Sequence, residues 1–118
     1  MLNSLLDQKQ DELKPHFKAG FLQRPNAIFQ FRFLTDDDFY LTVEGDAFNF
    51  MVGTDDAATI TLTIKDHVTC WGLLDGSIDG MKAFMEGTYR SDGNIVLSQL
   101  LLYLFKSNDP TIVYEVQY

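Results

Sequence analysis

The chain has little of the chemistry on which most disulfide-bonded, redox and metal-binding proteins depend. Of its 118 residues, one is cysteine, two are histidine and three are proline. The single thiol, Cys70, can form no internal disulfide and no Cys-x-x-Cys redox or zinc pattern. A lone thiol suits a reducing compartment, so the cytoplasm is the expected location.

Positive charge is also scarce. Nine Lys and Arg residues stand against seventeen Asp and Glu residues, which gives a net charge of −8. Because the cations are scattered singly, we expect no nucleic-acid binding and no lasting contact with anionic lipid headgroups.

Long apolar runs are absent from the sequence. The longest, residues 95–105, contains Ser98 and Gln99 and is too short to cross a bilayer. Charged residues among the first leucines, such as Asp7 and Lys9, argue against a signal peptide. We therefore expect no stable membrane insertion.

Apolar side chains are abundant in compensation. Hydrophobic residues make up 46% of the chain, and ten residues are phenylalanine. A chain of this length can bury roughly two thirds of its unfolded surface. No repeat or linker divides it, so residues 1–118 are expected to form one domain.

Apolar and polar residues alternate along four consecutive segments, which predicts four strands with one apolar face. Polar turns separate them at Thr35 to Asp38, at Gly45-Asp46 and from Gly53. A brief fifth strand is predicted from Thr88 to Ser91, and a sixth extended segment from Thr111 to Tyr118. The residues predicted to face inward in the first four strands are Phe29, Phe31, Phe33, Phe39, Leu41, Val43, Phe48, Phe50, Val52, Ile60, Leu62 and Ile64.

Helical spacing appears in four places. The first helix begins with Leu2 and ends at Lys14, before Pro15. The second is capped by Asp66 and closed by Asp75-Gly76. A short helix around Met81 and Phe84 ends at Gly87, and the last helix runs from Asn94 to about Lys106. The pattern predicts an α+β fold whose helices cover the apolar face of the sheet.

The last predicted helix is apolar almost all round, where an ordinary amphipathic helix has one apolar stripe. Such a helix must be buried on more than one side, and so small a domain has no sheet left to cover the far side. Either the helix covers a cavity with an apolar occupant, or it is ordinary core that a partner subunit completes.

Several motifs occur in an order that resembles the sterol carrier protein 2 family. Residues Gly76 to Gly87 contain a glycine turn and a short helix ending in Phe84-Met85-Glu86-Gly87, followed by Gly93-Asn94 and an apolar helix. Upstream, Ala57 to Asp66 is similar to that family's strand ending in an acidic helix start. The resemblance covers about three quarters of the chain.

The resemblance implies a five-stranded, mixed and mainly antiparallel sheet, with helices on one face enclosing a lipid tunnel. The element order is then α-β-β-β-crossover-β-α-β-α. That family binds fatty acids, acyl-CoA and sterols without a cofactor, and some relatives handle polyprenylated intermediates of ubiquinone synthesis. It often has Lys in the strand after the Phe-Met-x-Gly motif. Here that strand reads Thr88-Tyr89-Arg90-Ser91, so acyl-CoA binding is in doubt.

We therefore expect the chain to bind an elongated apolar ligand without catalysis, cofactor or metal. Plain core packing is the competing interpretation of the same aromatic side chains. The residues predicted to line the ligand site are Phe29, Phe31, Phe48, Phe50, Leu62, Trp71, Met81, Phe84, Met85, Leu97, Leu100, Leu101 and Leu104.

Other polar motifs carry weaker hypotheses. Asp75, Ser77, Asp79 and Glu86 have the spacing of a calcium-binding loop, but a turn and a helix cap explain the same residues. Cys70 and His67 lie three residues apart on a helix, where a buried and inert thiol is the expected outcome. The acidic turn Asp36 to Asp38 is expected to be solvated.

Two other functional classes stay open at this point. A small α+β-cone enzyme acting on hydrophobic substrates needs a carboxyl or imidazole with a shifted pKa, for which Asp66, Asp75 and Asp79 are the candidates. A homodimeric interaction protein would use the segment from Ile112 to Tyr118 and the apolar last helix.

Overall fold

Five strands form one mixed sheet in the order β3-β2-β1-β4-β5. In the computed structural model, which describes residues 2–18, 26–93 and 95–105, the strands are β1 (Asn26–Phe33), β2 (Phe39–Glu44), β3 (Ala47–Val52), β4 (Ile60–Ile64) and β5 (Tyr89–Ser91). All neighbouring pairs are antiparallel except β1 and β4, which are parallel. The predicted α+β class and mixed sheet are confirmed.

Four α-helices accompany the sheet. They are α1 (Leu2–Leu13), α2 (His67–Asp75), α3 (Gly80–Glu86) and α4 (Ile95–Leu104), and a 3₁₀ turn, Lys14–His16, follows α1. The boundaries agree with the sequence prediction to within two residues. Among the described residues, no helix is long and apolar enough to cross a membrane. The predicted segment from Thr111 to Tyr118 lies outside the described residues.

One face of the sheet carries the core, because side chains alternate along each strand. In β1, Phe29 and Phe31 are fully buried, and in β2 Phe39 and Leu41 are as well. Val52 differs from the prediction: it is 46% exposed, because it ends β3 at the margin of the sheet.

Helix α1 lies along the edge strand β3. The side chain of Gln10 accepts a hydrogen bond from the Phe50 N–H at 3.2 Å, and its amide donates to the Phe48 carbonyl at 3.1 Å. These bonds satisfy backbone groups that an edge strand would otherwise expose to other chains. The helix thereby closes one side of the apolar core.

The crossover from β3 to β4, residues 53–59, passes over the outer face of the sheet. Gln30 alternates with Phe29 and Phe31, which predicts a solvated side chain on that outer face, but it is only 3% exposed. Its amide donates to the carbonyls of Gly53 at 3.0 Å and Phe39 at 3.1 Å, and its oxygen accepts from the Asp55 N–H at 2.8 Å. Gln30 therefore fixes the connection that makes β4 parallel to β1.

Asp66 caps the start of α2, as predicted. Its carboxylate accepts from the Thr69 N–H at 2.9 Å and from the Thr69 hydroxyl at 2.6 Å. The hydrogen bonds from Thr69 lower the pKa of Asp66 below its ordinary value of 3.8. A lowered pKa in the folded state means that the ionised carboxylate stabilises the protein above about pH 4. That stabilisation is lost as the pH falls through the folded-state pKa.

Replacing Asp66 by alanine should lower the midpoint of thermal unfolding at pH 7, because the first turn of α2 loses its cap. The difference from the unmodified protein should shrink as the pH falls below about 4. Thermal unfolding followed by circular dichroism at both pH values measures it. Asp56→Ala is the control, since Asp56 is exposed in the crossover loop. An unchanged midpoint at pH 7 would contradict the capping role.

Candidate functional site

The space between the sheet and the helices is occupied by aromatic rings. Phe39 and Trp71 stack with ring centroids 5.1 Å apart, and Phe50 meets Trp71 edge to face at 5.3 Å. Phe105, just after α4, lies 4.8 Å from Phe48. The rings come from β2, β3, α2 and the end of α4, so a ligand in this interior would contact aromatic side chains on several sides.

Most of the predicted lining residues converge on this interior. Phe84 and Leu100 are only half-buried, whereas Met81 and Met85 are 56% and 78% exposed. The nine predicted residues in the buried core are Phe29, Phe31, Phe48, Phe50, Leu62, Trp71, Leu97, Leu101 and Leu104.

A small pocket lies where α2, α3 and α4 meet. Its volume is about 50 Å³, and its lining includes Leu73, Ile78, Met81, Leu102 and Tyr103. A cavity of roughly 150 Å³ is known to admit a benzene molecule. An elongated ligand could enter this pocket only if the helices around it separated, and the predicted tunnel stays a prediction.

Helix α4 has two apolar sides with different surroundings. Leu97, Leu101 and Leu104 are buried towards the sheet. On the far side, Val96 is 66% exposed and Tyr103 is 39% exposed. The surplus apolar surface that the sequence predicts is thus present, and the described residues leave it open to solvent.

Of the three helices around the pocket, α3 contributes the fewest buried residues to the core. Ala83 is the one buried residue of α3. The helix lies between Gly76 (φ 88°) and Gly87 (φ 79°), and both glycines are in the left-handed region. A short helix between two such glycines buries little apolar area, and segments of this kind open at the lowest free energy. We therefore expect that the pocket enlarges at the lowest free-energy cost by movement of α3.

The contact between α3 and α4 depends on the absence of a side chain at Gly80. A Cβ atom at this position would lie 2.5 Å from the Leu102 Cδ1 atom. Gly80→Ala should therefore destabilise the protein by at most about 1 kcal/mol, measured by urea unfolding, because the Leu102 side chain can turn aside and alanine favours the helix. In a Leu102→Ala background the same change should cost much less, because the clashing methyl is gone. Equal losses in both backgrounds would show that this contact is not the cause.

The titratable groups near the interior have structural partners. His67 packs edge to face on Phe33 at 4.6 Å, and its Nε2 lies 2.7 Å from the Asp37 carbonyl. Asp36 accepts from the His67 N–H at 2.9 Å, so the acidic turn is attached to the start of α2. Burial raises the pKa of the Cys70 thiol well above its ordinary value, which keeps it protonated and unreactive.

The proposed calcium-loop residues act as turn and cap residues. Asp75 accepts from the Ser77 N–H at 2.8 Å, and Asp79 caps α3 by accepting from the Lys82 N–H at 3.1 Å. Within residues 2–18, 26–93 and 95–105, no three His, Cys, Asp or Glu side chains are placed to hold a metal ion.

Two buried polar atoms were not anticipated from the sequence. Within the part of the chain that the structure describes, the indole N–H of Trp71 and the hydroxyl of Ser91 have no hydrogen-bond partner. Leaving a buried donor unpaired costs about 1–3 kcal/mol. Trp71 is also the residue over whose ring the Lys9 ammonium lies, 5.6 Å from the centroid.

Known proteins share this architecture, although no protein family and no curated protein matches the sequence. The UbiJ-SCP2 ubiquinone synthesis protein superposes with a TM-score of 0.67 at 12% identity, over 86% of this chain and 88% of that protein. The palmitated sterol carrier protein 2-like 2 of Aedes aegypti superposes with a TM-score of 0.59 at 11% identity, over 88% and 96%. This chain has the sterol carrier protein 2 fold.

A larger enzyme contains the same sterol carrier fold. The inverting sec-alkylsulfatase Pisa1 from Pseudomonas sp. superposes with a TM-score of 0.70 at 20% identity. The match covers 88% of this chain but only 17% of the alkylsulfatase. This chain therefore spans about a sixth of the length of that protein.

Proposed function

We propose that this domain binds an elongated apolar ligand between the sheet and its helices, and carries or presents it without catalysing a reaction. The observation that carries the proposal is α4, whose side chains are apolar towards the sheet and also on the far side. The ligand would lie among the thirteen side chains predicted from the sequence, with Met81 and Met85 at the opening. Residues 1–118 would act as one domain, in the cytoplasm.

The size of the pocket sets how the ligand enters. Burying about ten methylenes gains on the order of 8 kcal/mol. Ordering the ligand costs at least roughly 4 kcal/mol, and displacing α3 costs more. The balance is a modest and exchangeable affinity, which suits transfer. Loss of the α3 contact with Leu102 at Gly80 is the opening movement that we propose.

The unpaired indole of Trp71 supports a ligand with one polar end. Its N–H is buried beside Phe39 and Phe50, and none of the described residues supplies an acceptor for it. A carbonyl, hydroxyl or carboxylate oxygen on the ligand would supply that acceptor, while the chain occupies the aromatic interior. Fatty acids and polyprenyl quinone intermediates have this chemistry, and matched structures are described as palmitated or as a ubiquinone synthesis protein.

Lipid extraction tests the proposal. Protein purified without detergent, then denatured and extracted, should release a long-chain lipid near one molecule per domain by mass spectrometry. A lipid-free preparation should bind a fluorescent fatty acid with the same stoichiometry. A folded protein that releases no lipid and binds none would contradict the proposal.

A homodimer is the second candidate, favoured by the exposed Val96 and Tyr103 on α4. In that case the far side of α4 would be covered by a second copy rather than serve a ligand site. Mass in solution separates the two, since a lipid-loaded monomer contradicts the dimer. The enzyme hypothesis has less support, because the pKa of Asp66 is lowered by the hydrogen bonds with which it caps α2, and Asp75 and Asp79 accept from backbone N–H groups in a turn and a cap.

A further inference from the structure

A second concave site lies on the opposite face of the sheet from the helices. It is an open groove of about 540 Å³ where β4 and β5 meet the end of β1. In β4 and just after it, Thr63 and Lys65 flank the buried Ile64. In β5, Arg90 follows the buried Tyr89. Because side chains alternate, all three polar side chains lie on the outer face. The groove is therefore separate from the aromatic interior.

Two cations converge on this groove in a chain of net charge −8. Arg90 pairs with Thr63 across the strands, and the pairing of Ile64 with Tyr89 places Lys65 next to Thr88. Lys65 and Arg90 are thus diagonal neighbours on one face, whose Cα atoms lie roughly 7–8 Å apart. A single oxyanion can be reached by both side chains at that separation.

Neither Lys65 nor Arg90 forms an ion pair within the described residues, where the ion pairs are Lys9 with Glu12 and Arg32 with Asp38. The Asp66 carboxylate, next to Lys65 in sequence, feels the Lys65 charge weakly, since the hydrogen bonds from Thr69 are the main cause of its lowered pKa and that charge is a minor one. Two hydrogen bonds from Thr69 hold Asp66 Oδ1 at the start of α2, so a bound anion would meet no ion pair already made by Lys65. Like charges at neighbouring sheet positions repel, and a bound anion would remove that cost.

The groove also has an apolar wall. Leu34 is 74% exposed, and its N–H lies 3.2 Å from the carbonyls of both Ile64 and Lys65. The backbone thereby holds an exposed leucine next to a lysine. We propose that the groove binds a small alkyl oxyanion, with the phosphate or sulfate group between Lys65 and Arg90 and the first methylenes against Leu34.

Amide chemical shifts in a ¹H–¹⁵N spectrum test this site. Octyl phosphate, kept below its micelle concentration, should shift the amides of Thr63, Lys65, Thr88 and Arg90. Lys65→Gln and Arg90→Gln should each weaken binding by about tenfold, since each removes one charge-assisted hydrogen bond. Lys14→Gln makes the same charge change at an exposed position after α1 and should leave binding unchanged.

Two further probes separate the parts of the ligand. Inorganic phosphate should bind more weakly than octyl phosphate, and Leu34→Ser should weaken octyl phosphate without affecting inorganic phosphate. Octanol should shift none of these four amides. Equal binding of octanol and octyl phosphate, or equal loss in Lys14→Gln, would overturn the proposal, as would equal affinities for the two phosphates. Occupancy of the aromatic interior leaves these outcomes unaffected, so this site can fail while lipid binding stands.

Discussion

Replacing Phe39 by alanine should lower the free energy of unfolding by about 3–5 kcal/mol, the usual cost of removing a buried phenylalanine. Phe39 is fully buried, and its ring lies 5.1 Å from Trp71, 6.0 Å from Phe50 and 5.4 Å from Phe31. It also lies 5.3 Å from the His67 ring. The ring joins β1, β2 and β3 to α2, so its loss leaves a cavity that no single neighbour can fill.

Urea unfolding followed by circular dichroism measures this loss. Phe84→Ala is the control, because Phe84 is only half-buried. Its ring packs on Tyr89, with the ring centroids 5.7 Å apart. Its cost should be clearly smaller. A loss below about 1 kcal/mol for Phe39→Ala would show that the aromatic interior is not the centre of the core.

Replacing Gln30 by leucine should destabilise the protein by about 2–4 kcal/mol, although the new side chain is apolar and similar in size. The change leaves the Asp55 N–H and the Gly53 carbonyl without their partner beneath the crossover. Each orphaned buried group costs about 1–3 kcal/mol. The effect should be concentrated in residues 53–59, the segment that lets β4 pair with β1.

Hydrogen exchange locates this effect. The Asp55 amide should lose its protection in Gln30→Leu, while the β2–β3 ladder stays protected. Gln8→Leu is the control, because Gln8 is exposed on α1 and bonds only with Glu12 among the described side chains. Unchanged exchange at Asp55 would show that the crossover does not depend on this glutamine.

The elements of the fold could be predicted because their signals are local. Strict alternation from Ile60 to Ile64 gave β4 its bounds, and Asp66 and Gly76 marked the ends of α2. The predictions that Val52 is buried and Gln30 is solvated were wrong for a shared reason. The burial of both side chains depends on which other parts of the chain cover them. Val52 lies at a margin, and Gln30 lies under a loop distant in sequence.

The candidate site was predicted less completely. The apolar periodicity identified side chains that face inward, and nine of the thirteen are buried together. It could not show that the rings of Phe39, Trp71 and Phe105 fill the space between them. The placement of Lys65 diagonally opposite Arg90 depends on the register of β4 with β5, which no single segment of sequence reveals.

Under the proposed function, we interpret the structure as the closed state of a binding protein. Among the described residues the interior is apolar and aromatic, and the pocket beside Gly80 measures about 50 Å³. Helix α3 has one buried residue, so we expect its displacement to cost the least free energy. Ligand binding should therefore loosen the contact between Gly80 and Leu102 while the sheet keeps its pairing.

The location of bound hexadecanoate tests the central claim most directly. In a sample saturated with this fatty acid, NMR distance contacts from its mid-chain methylenes should reach the methyl groups of Leu97, Leu101 and Leu104, which face the sheet. Contacts confined to the exposed side chains of Val96 and Met85, or no contacts at saturating ligand, would contradict an internal ligand site.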